Sequence, residues 1–429
     1  MFAVGSVPSL ERVTSTDRHV VRFATTLWIV AIVALSVYAY LKPNSHTVYD
    51  IYVNASRRWL SGDDIYVRTR EYYRYSPLFA VSLAPLAVLS DSASAVGWKL
   101  LNCGIFVLGL GAWARRLIPE KLNRVEIASL FLLALPLSLH SMYNSQANLM
   151  MLGSVLLGLA AAAEGRWNRA AAWLAWATLI KGYPLALAML VAGMYPRQFT
   201  LKYLGAIGLG LLLPFLTKNP ELVQAQYASW FTHLLDSTAI MRERMRTFDQ
   251  LFVIYGRPLQ PSAFAMAEAA AGACVFALCL WVARQTTNAR VRFTRMFELF
   301  AVWVVLFGPA TESCTYVVAA PVIAWRLLES LQTSRTALQP FALIASLLMM
   351  GPAVTDMFGR LVRNFANEHG SQPIGAIVLL VCLLYEMVCA ARQNSAADVA
   401  TEPRLLPLPC GANPVGGGPN PTSGLRRAG

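Results

Sequence analysis

An all-α integral membrane protein is the fold class this sequence predicts, and three observations predict it. Of its 429 residues, 56% are apolar and only 14% are charged, against roughly a quarter charged in a soluble chain. The apolar residues gather into repeated runs parted by short polar stretches, which is the pattern of many membrane spans. Those runs lack the period-two alternation of a transmembrane barrel, so the spans are helices. No interval between runs exceeds about 45 residues, too short for a typical soluble domain. Residues 1–392 therefore read as one polytopic membrane domain. Residues 393–429, rich in Gly, Pro, Asn and Ser, read as a disordered cytoplasmic tail.

Twelve spans are expected, near 23–41, 95–114, 126–141, 146–163, 168–180, 184–196, 201–216, 262–284, 295–309, 313–328, 340–357 and 372–391. The first has no small-residue cleavage site after it and reads as an uncleaved anchor. The run 75–90 holds Pro77 and Pro85 and would flip every later loop if it crossed. The positive-inside rule keeps it in the interface. Arg12, Arg18, Arg22, Arg115, Arg116, Lys121, Arg124, Arg166, Arg169, Arg197, Lys202, Arg284, Arg290, Arg292, Arg295, Arg326 and Arg335 then fall inside, together with both termini. The plasma (inner) membrane is the expected location.

The net charge of +13 does not point to nucleic acid. The basic residues are dealt out to the loops, where membrane lipids and topology account for them. Seven cysteines form no disulfide framework: five lie in apolar runs as small hydrophobes and Cys410 lies in the tail. No cofactor is implied. Asp63 and Asp64 offer two carboxylates to a divalent metal, but adjacent acids after Gly62 are more often turn residues.

This topology leaves two basic clusters on the wrong side. The first outer loop, which with the interfacial run covers about 42–94, holds Lys42, Arg57, Arg58, Arg68, Arg70 and Arg74. The fourth, about 217–261, holds Lys218, Arg242, Arg244, Arg246 and Arg257. Positive charge placed against the topogenic bias fits anionic substrate groups at the outer face; contact with anionic lipid heads is the plainer reading.

The first loop predicts a helix over about 47–61, stopped by Gly62. Asp50, Asn54, Arg57 and Ser61 share one face of it, and Val48, Tyr52, Ala55 and Trp59 another. The aromatic face suits a membrane interface. A carboxylate and a guanidinium about 10 Å apart along the axis are spaced to hold a sugar-sized group, although an Asp at a helix start also simply favours the macrodipole. Ser76 before Pro77 starts a second interfacial helix over 76–90. His140, Tyr143, Asn144, Gln146 and Asn148 gather at one outer turn, suited to sugar hydroxyls or to ordinary capping. Lys181-Gly182-Tyr183-Pro184 breaks an apolar run, where a lysine fits a phosphate or snorkels to the interface. Glu312 sits at a further outer turn. Several polar groups thus converge on one membrane face.

The motif order resembles that of glycosyltransferase family 87. The resemblance is carried by Asp50, then Gly62 to Tyr66, Tyr75-Ser76-Pro77-Leu78 and Ala84-Pro85-Leu86. It continues in Gln146-Ala147-Asn148-Leu149, Lys181-Gly182-Tyr183-Pro184 and the segment from Phe248-Asp249-Gln250 to Arg257. It extends over roughly 25–330. Membership implies the GT-C fold, a bundle of about 12 transmembrane helices with interfacial helices in the first outer loop. It also implies transfer of a sugar, often mannose, from a polyprenyl-phosphate donor to a lipid or glycan acceptor outside the cytoplasmic leaflet. By resemblance Asp50 matches the family's first-loop aspartate, Gln146 its outer-turn glutamine and Lys181 the lysine before the Pro break. Relatives often carry a histidine near 309–316, where this chain has Glu312, Ser313 and Cys314; the base is Asp50, or Glu312 in the histidine's stead.

The expected substrate-binding set is Arg57, Arg58, Tyr66, Tyr75, His140, Gln146, Asn148, Lys181, Tyr183 and Arg257. The expected chemistry is one displacement at the anomeric carbon: a carboxylate takes the acceptor proton and basic side chains, with Arg57, Arg58 and Lys181 expected on the phosphate, stabilise the leaving group. A transporter or flippase would place its polar residues at the midplane of broken helices. A glycan polymerase or ligase would rely on outer-loop Arg and His more than on Asp50.

Overall fold

The computed structural model describes residues 15–45, 47–67, 73–240, 245–309, 311–333 and 337–401. Arg12, Arg68, Arg70, Arg242, Arg244, Arg335, Cys410 and the tail beyond 401 lie outside the described residues. Two compact units are distinguished, one to Tyr385 and one from Glu386; the site lies in the first.

Eighteen α-helices and no strand occur among the described residues. Each of the twelve apolar runs lies largely on helical backbone. In chain order these are α1 (Ser15–Leu41), α5 (Asp91–Ala112), α6 (Arg124–Tyr143), α7 (Asn148–Ala163), α8 (Trp167–Ile180) and α9 (Pro184–Met194). They continue with α10 (Leu201–Leu212), α13 (Pro261–Gln285), α14 (Ala289–Phe307), α15 (Ala320–Thr333), α16 (Leu338–Met350) and α18 (Ser371–Thr401). Seven of these segments, counting the turns that extend them, are long and apolar enough to cross a membrane. The chain is a multi-pass membrane protein. Its α18 runs to Thr401, past the expected start of the tail at 393, because Ala396, Ala397 and Ala400 are strong helix formers.

The remaining helices shape one end of the bundle: α2 (Tyr49–Ser61), α3 (Pro77–Ser82), α4 (Ala84–Ala87), α11 (Pro220–Ile240), α12 (Phe248–Ile254) and α17 (Arg360–Glu368). Gly62 ends α2 in the left-handed region at φ 87°, with its N–H donating to Arg58 O. The aromatic face of α2 does not lie on lipid as the sequence suggested. Tyr52, Ala55 and Trp59 are buried. Tyr52 packs edge-on against Phe79 and Trp98, each at 5.5 Å between centroids, and Tyr49 stacks on Trp98 at 5.8 Å. Aromatic packing inside the protein supplies the burial assigned to the interface. The run 76–90 forms two short helices, α3 and α4, separated at Leu83.

The segment 217–261 carries the helix α11, and it is sewn to the segment that follows α1. Trp59 Nε1 donates to Thr217 Oγ1 (3.1 Å), Lys218 Nζ to Leu60 O (2.8 Å), and Trp230 Nε1 to Arg74 O (3.2 Å). Buried Gln226 accepts from Ile65 N (3.0 Å) and donates to Asp63 O (3.3 Å). Asp63 also accepts from Ser61 Oγ and Asp64 from Tyr66 N, so both acids act as turn residues. Deeper in, α5 and α7 touch through glycine: a Cβ on Gly109 would come within 2.5 Å of Gly153 Cα. Small residues let the two backbones meet, and this contact holds α7 against α5.

Candidate active site

Four polar side chains from distant parts of the chain meet where α2, α3, α7 and the turn after α14 converge. Tyr52 OH lies 2.8 Å from Tyr75 OH and donates to Gln146 Oε1 at 3.4 Å. Gln146 Nε2 reaches Glu312 Oε2 at 3.5 Å. Lys181 Nζ stands 5.9 Å from the centroid of the Tyr75 ring, a cation–π distance. Tyr183 OH donates to Asn148 Oδ1 at 3.4 Å, and Asn148 Nδ2 is buried without a partner.

Each group owes its place to local structure. Pro184 ends the approach of α8 and starts α9, leaving Lys181 in an extended break at φ −138°, ψ 138°. Glu312 caps the 3-10 turn Ser313–Ala319, its carboxylate accepting from backbone while its own N–H donates to Thr315 Oγ1 at 3.2 Å. Ser76 Oγ donates to Leu179 O at 2.6 Å and so ties Tyr75 to the end of α8. On the fourth-loop side Arg246 N donates to Thr311 O at 2.7 Å, and Tyr316 OH to Arg246 O at 2.6 Å.

The cluster is dry. Desolvation holds the Lys181 ammonium below the usual lysine range, and the Glu312 carboxylate opposes that shift. Burial pushes the Tyr52, Tyr75 and Tyr183 hydroxyls above the usual tyrosine range, so they stay protonated donors. Arg74, half-buried, lies near enough to Lys181 to lower it further. Two cations and one carboxylate beside neutral donors make a cluster that favours an added anion.

Of the residues the sequence singled out, Tyr75, Gln146, Asn148, Lys181, Tyr183 and Glu312 come together here. Tyr66 lies behind them, its hydroxyl donating to Tyr75 O at 2.8 Å. His140 is half-buried in the same turn region, its carbonyl accepting from Asn144 N at 3.1 Å. Asp50 is set apart. It precedes Tyr52 by two residues, about 200° around α2, and lines a separate cavity of ≈ 100 Å³ with Asn54, Arg57 and Asp91. Arg57 is committed there, bonded to Asp91 Oδ1 at 2.6 Å and Ala87 O at 3.2 Å. Arg58 is half-buried on α2 and Arg257 is exposed after α12. Sequence reasoning missed Tyr52, assigned to a lipid face, and Arg74, counted only as loop charge. Among the described residues no group of three His, Cys, Asp or Glu side chains is placed to hold a metal.

A helical membrane bundle with a buried, cation-bearing polar cluster built from loops at one end defines a multi-pass membrane enzyme. The model of glycosyltransferase family 87 matches residues 73–309, more than half of the chain, and the chain belongs to that family. It is a membrane glycosyltransferase. The match includes Tyr75, Gln146, Lys181 and Arg257, whereas Asp50 and Glu312 fall on either side of it. No curated protein matches the chain. Solved structures that resemble it include two of ArnT from Cupriavidus metallidurans. The one bound to undecaprenyl phosphate is 20% identical with a TM-score of 0.39, covering 87% of this chain and 80% of that one. The apo form is 18% identical with a TM-score of 0.39, covering 84% and 77%.

Proposed function

We propose that this chain transfers a sugar, mannose in the reading its family favours, from a polyprenyl-phosphate donor to a lipid or glycan acceptor at the extracytoplasmic face. The observation that carries it is Lys181, a half-buried ammonium held in a break of the bundle, beside Arg74 and among neutral donors. Such a cluster suits a phosphate at the membrane surface. The regular elements among the described residues are all helices, with no strand for a Rossmann-type nucleotide domain, which favours a lipid-linked donor over a nucleotide sugar.

In this reading Lys181 and Arg74 take the donor phosphate, while Tyr75, Gln146, Asn148 and Tyr183 meet the sugar. The Glu312 carboxylate, within reach of Gln146, takes the proton of the acceptor hydroxyl. The hydroxyl oxygen bonds to the anomeric carbon as the bond to the phosphate oxygen breaks, and the polyprenyl phosphate leaves with that electron pair. Asp50, which the family resemblance favours as base, opens on the cavity beside the Arg57–Asp91 pair and borders the acceptor side. Purified protein in nanodiscs, offered a panel of polyprenyl-phosphate sugars and nucleotide sugars, tests the donor class. Transfer from the lipid-linked sugars alone is expected; sustained transfer from a nucleotide sugar without polyprenyl lipid refutes the reading.

A further inference from the structure

The turn between α6 and α7 carries Gln146 and Asn148 into the cluster, and three side chains of α5 hold that turn from behind. Trp98 Nε1 donates to Ser145 O at 2.9 Å. Lys99 Nζ donates to Met142 O at 2.6 Å, Ser145 Oγ at 2.8 Å and Tyr143 O at 3.3 Å. Asn102 donates to Gln146 O at 2.8 Å and accepts from Met150 N at 2.7 Å. All three side chains are buried.

Two features go beyond ordinary capping. Ser145, at φ 57°, is the sole non-glycine in the left-handed region among the described residues, a conformation that costs on the order of 1 kcal/mol and persists only where surroundings impose it. Lys99 is 2% exposed within a membrane span, and its three contacts are two carbonyls and a hydroxyl, none a carboxylate. An ammonium there is costly. Its charge is met by the carbonyl end of α6, where the helix dipole is negative, and by the very residue that is strained.

We propose that Lys99 is a positioning residue: with Asn102 it imposes the left-handed Ser145 and thereby aims the Gln146 side chain between Tyr52 and Glu312. This rests on the reading of that cluster as the transfer site. Lys99 touches no substrate in this scheme and acts only through the turn. A plain structural lysine would stabilise the bundle without coupling to Gln146.

A double-mutant cycle separates the two. Lys99→Met is expected to lower turnover about 10-fold or more, the scale of a misplaced reacting group, and Gln146→Ala to lower it comparably. The double variant is expected to be no slower than Gln146→Ala alone; losses that multiply overturn the proposal. A second cycle reads the clamp without any transfer. Ser145→Gly, which adopts positive φ freely, is expected to recover part of the melting temperature lost in Lys99→Met, and purely additive shifts overturn the clamp. Should Lys99→Met not reach the membrane folded, Asn102→Ser replaces it in both cycles with the same expected coupling. Failure of the wild type to use any lipid-linked sugar sinks the proposed function, while the melting cycle still decides the clamp.

Discussion

The two ends of α14 and α15 handle charge in opposite ways. At the end remote from the site, Arg326 Nη2 meets Glu298 at 2.5 Å, Arg295 meets the same carboxylate at 3.0 Å, and Arg326 also contacts Glu329. Glu298 and Arg326 are 1% and 3% exposed. Nearby chain ends follow suit, with Glu164 between Arg116 and Arg166. Here every buried charge is matched at close range, as a structural network requires. At the site end the contacts lengthen to 3.4–3.5 Å between Tyr52, Gln146 and Glu312, and Asn148 Nδ2 and Gln372 Oε1 are left without partners. Matched charges hold helices together. Slack polar groups, in a region whose scaffold is well packed, are what a ligand fills.

The comparison breaks first at its structural end. Glu298→Ala removes the buried carboxylate that Arg326 and Arg295 share and is expected to cost about 3–5 kcal/mol, so folded protein and activity fall together in a detergent melting assay. Lys181→Met is expected to do the reverse, lowering transfer at least ~100-fold, the scale of a lost electrostatic stabiliser, with the melting temperature unchanged or raised. Melting and turnover measured side by side check both.

The site end is sharpened by pH. Lys181 serves as an ammonium, and desolvation lowers its pKa. Activity is therefore expected to fall as pH rises through a value below the ordinary lysine range of ~10.4. Lys181→Arg keeps its charge above that range, so whatever activity it retains should show no such alkaline limb. A limb unchanged in that variant assigns it to another group.

The smallest expected effect is at Arg57. Its partner Asp91 is half exposed, and an exposed pair contributes about 1 kcal/mol or less. Arg57→Gln should change donor affinity less than about threefold. A loss matching that of Lys181→Met returns Arg57 to the phosphate.

The helices were legible in the sequence because each apolar run states its own periodicity, and so were α2, its Gly62 stop and the Ser76–Pro77 start. The convergence of Gln146, Lys181 and Glu312 was legible only as a shared membrane face; no local pattern gives their contacts. What was not legible depends on pairing across long separations. Arg57 read as a free cation because Asp91 is 34 positions away. Lys99 vanished into an apolar run because its partners lie in another turn. The helix α11 was read as loop, its role as a brace resting on Gln226 meeting Ile65 and Asp63. Tyr52 was assigned to lipid because period alone does not say whether an aromatic face meets lipid or protein.

The central claim is that chemistry belongs to the Lys181–Gln146–Glu312 cluster rather than to the cavity on the far face of α2. Turnover of Glu312→Gln and Asp50→Asn, measured together with one polyprenyl-phosphate sugar and matched for folded protein, tests it most directly. We expect Glu312→Gln to lose at least ~100-fold, the scale for a general base, and Asp50→Asn to lose markedly less. A large loss in Asp50→Asn beside near-normal turnover in Glu312→Gln would contradict the account and place the base on α2.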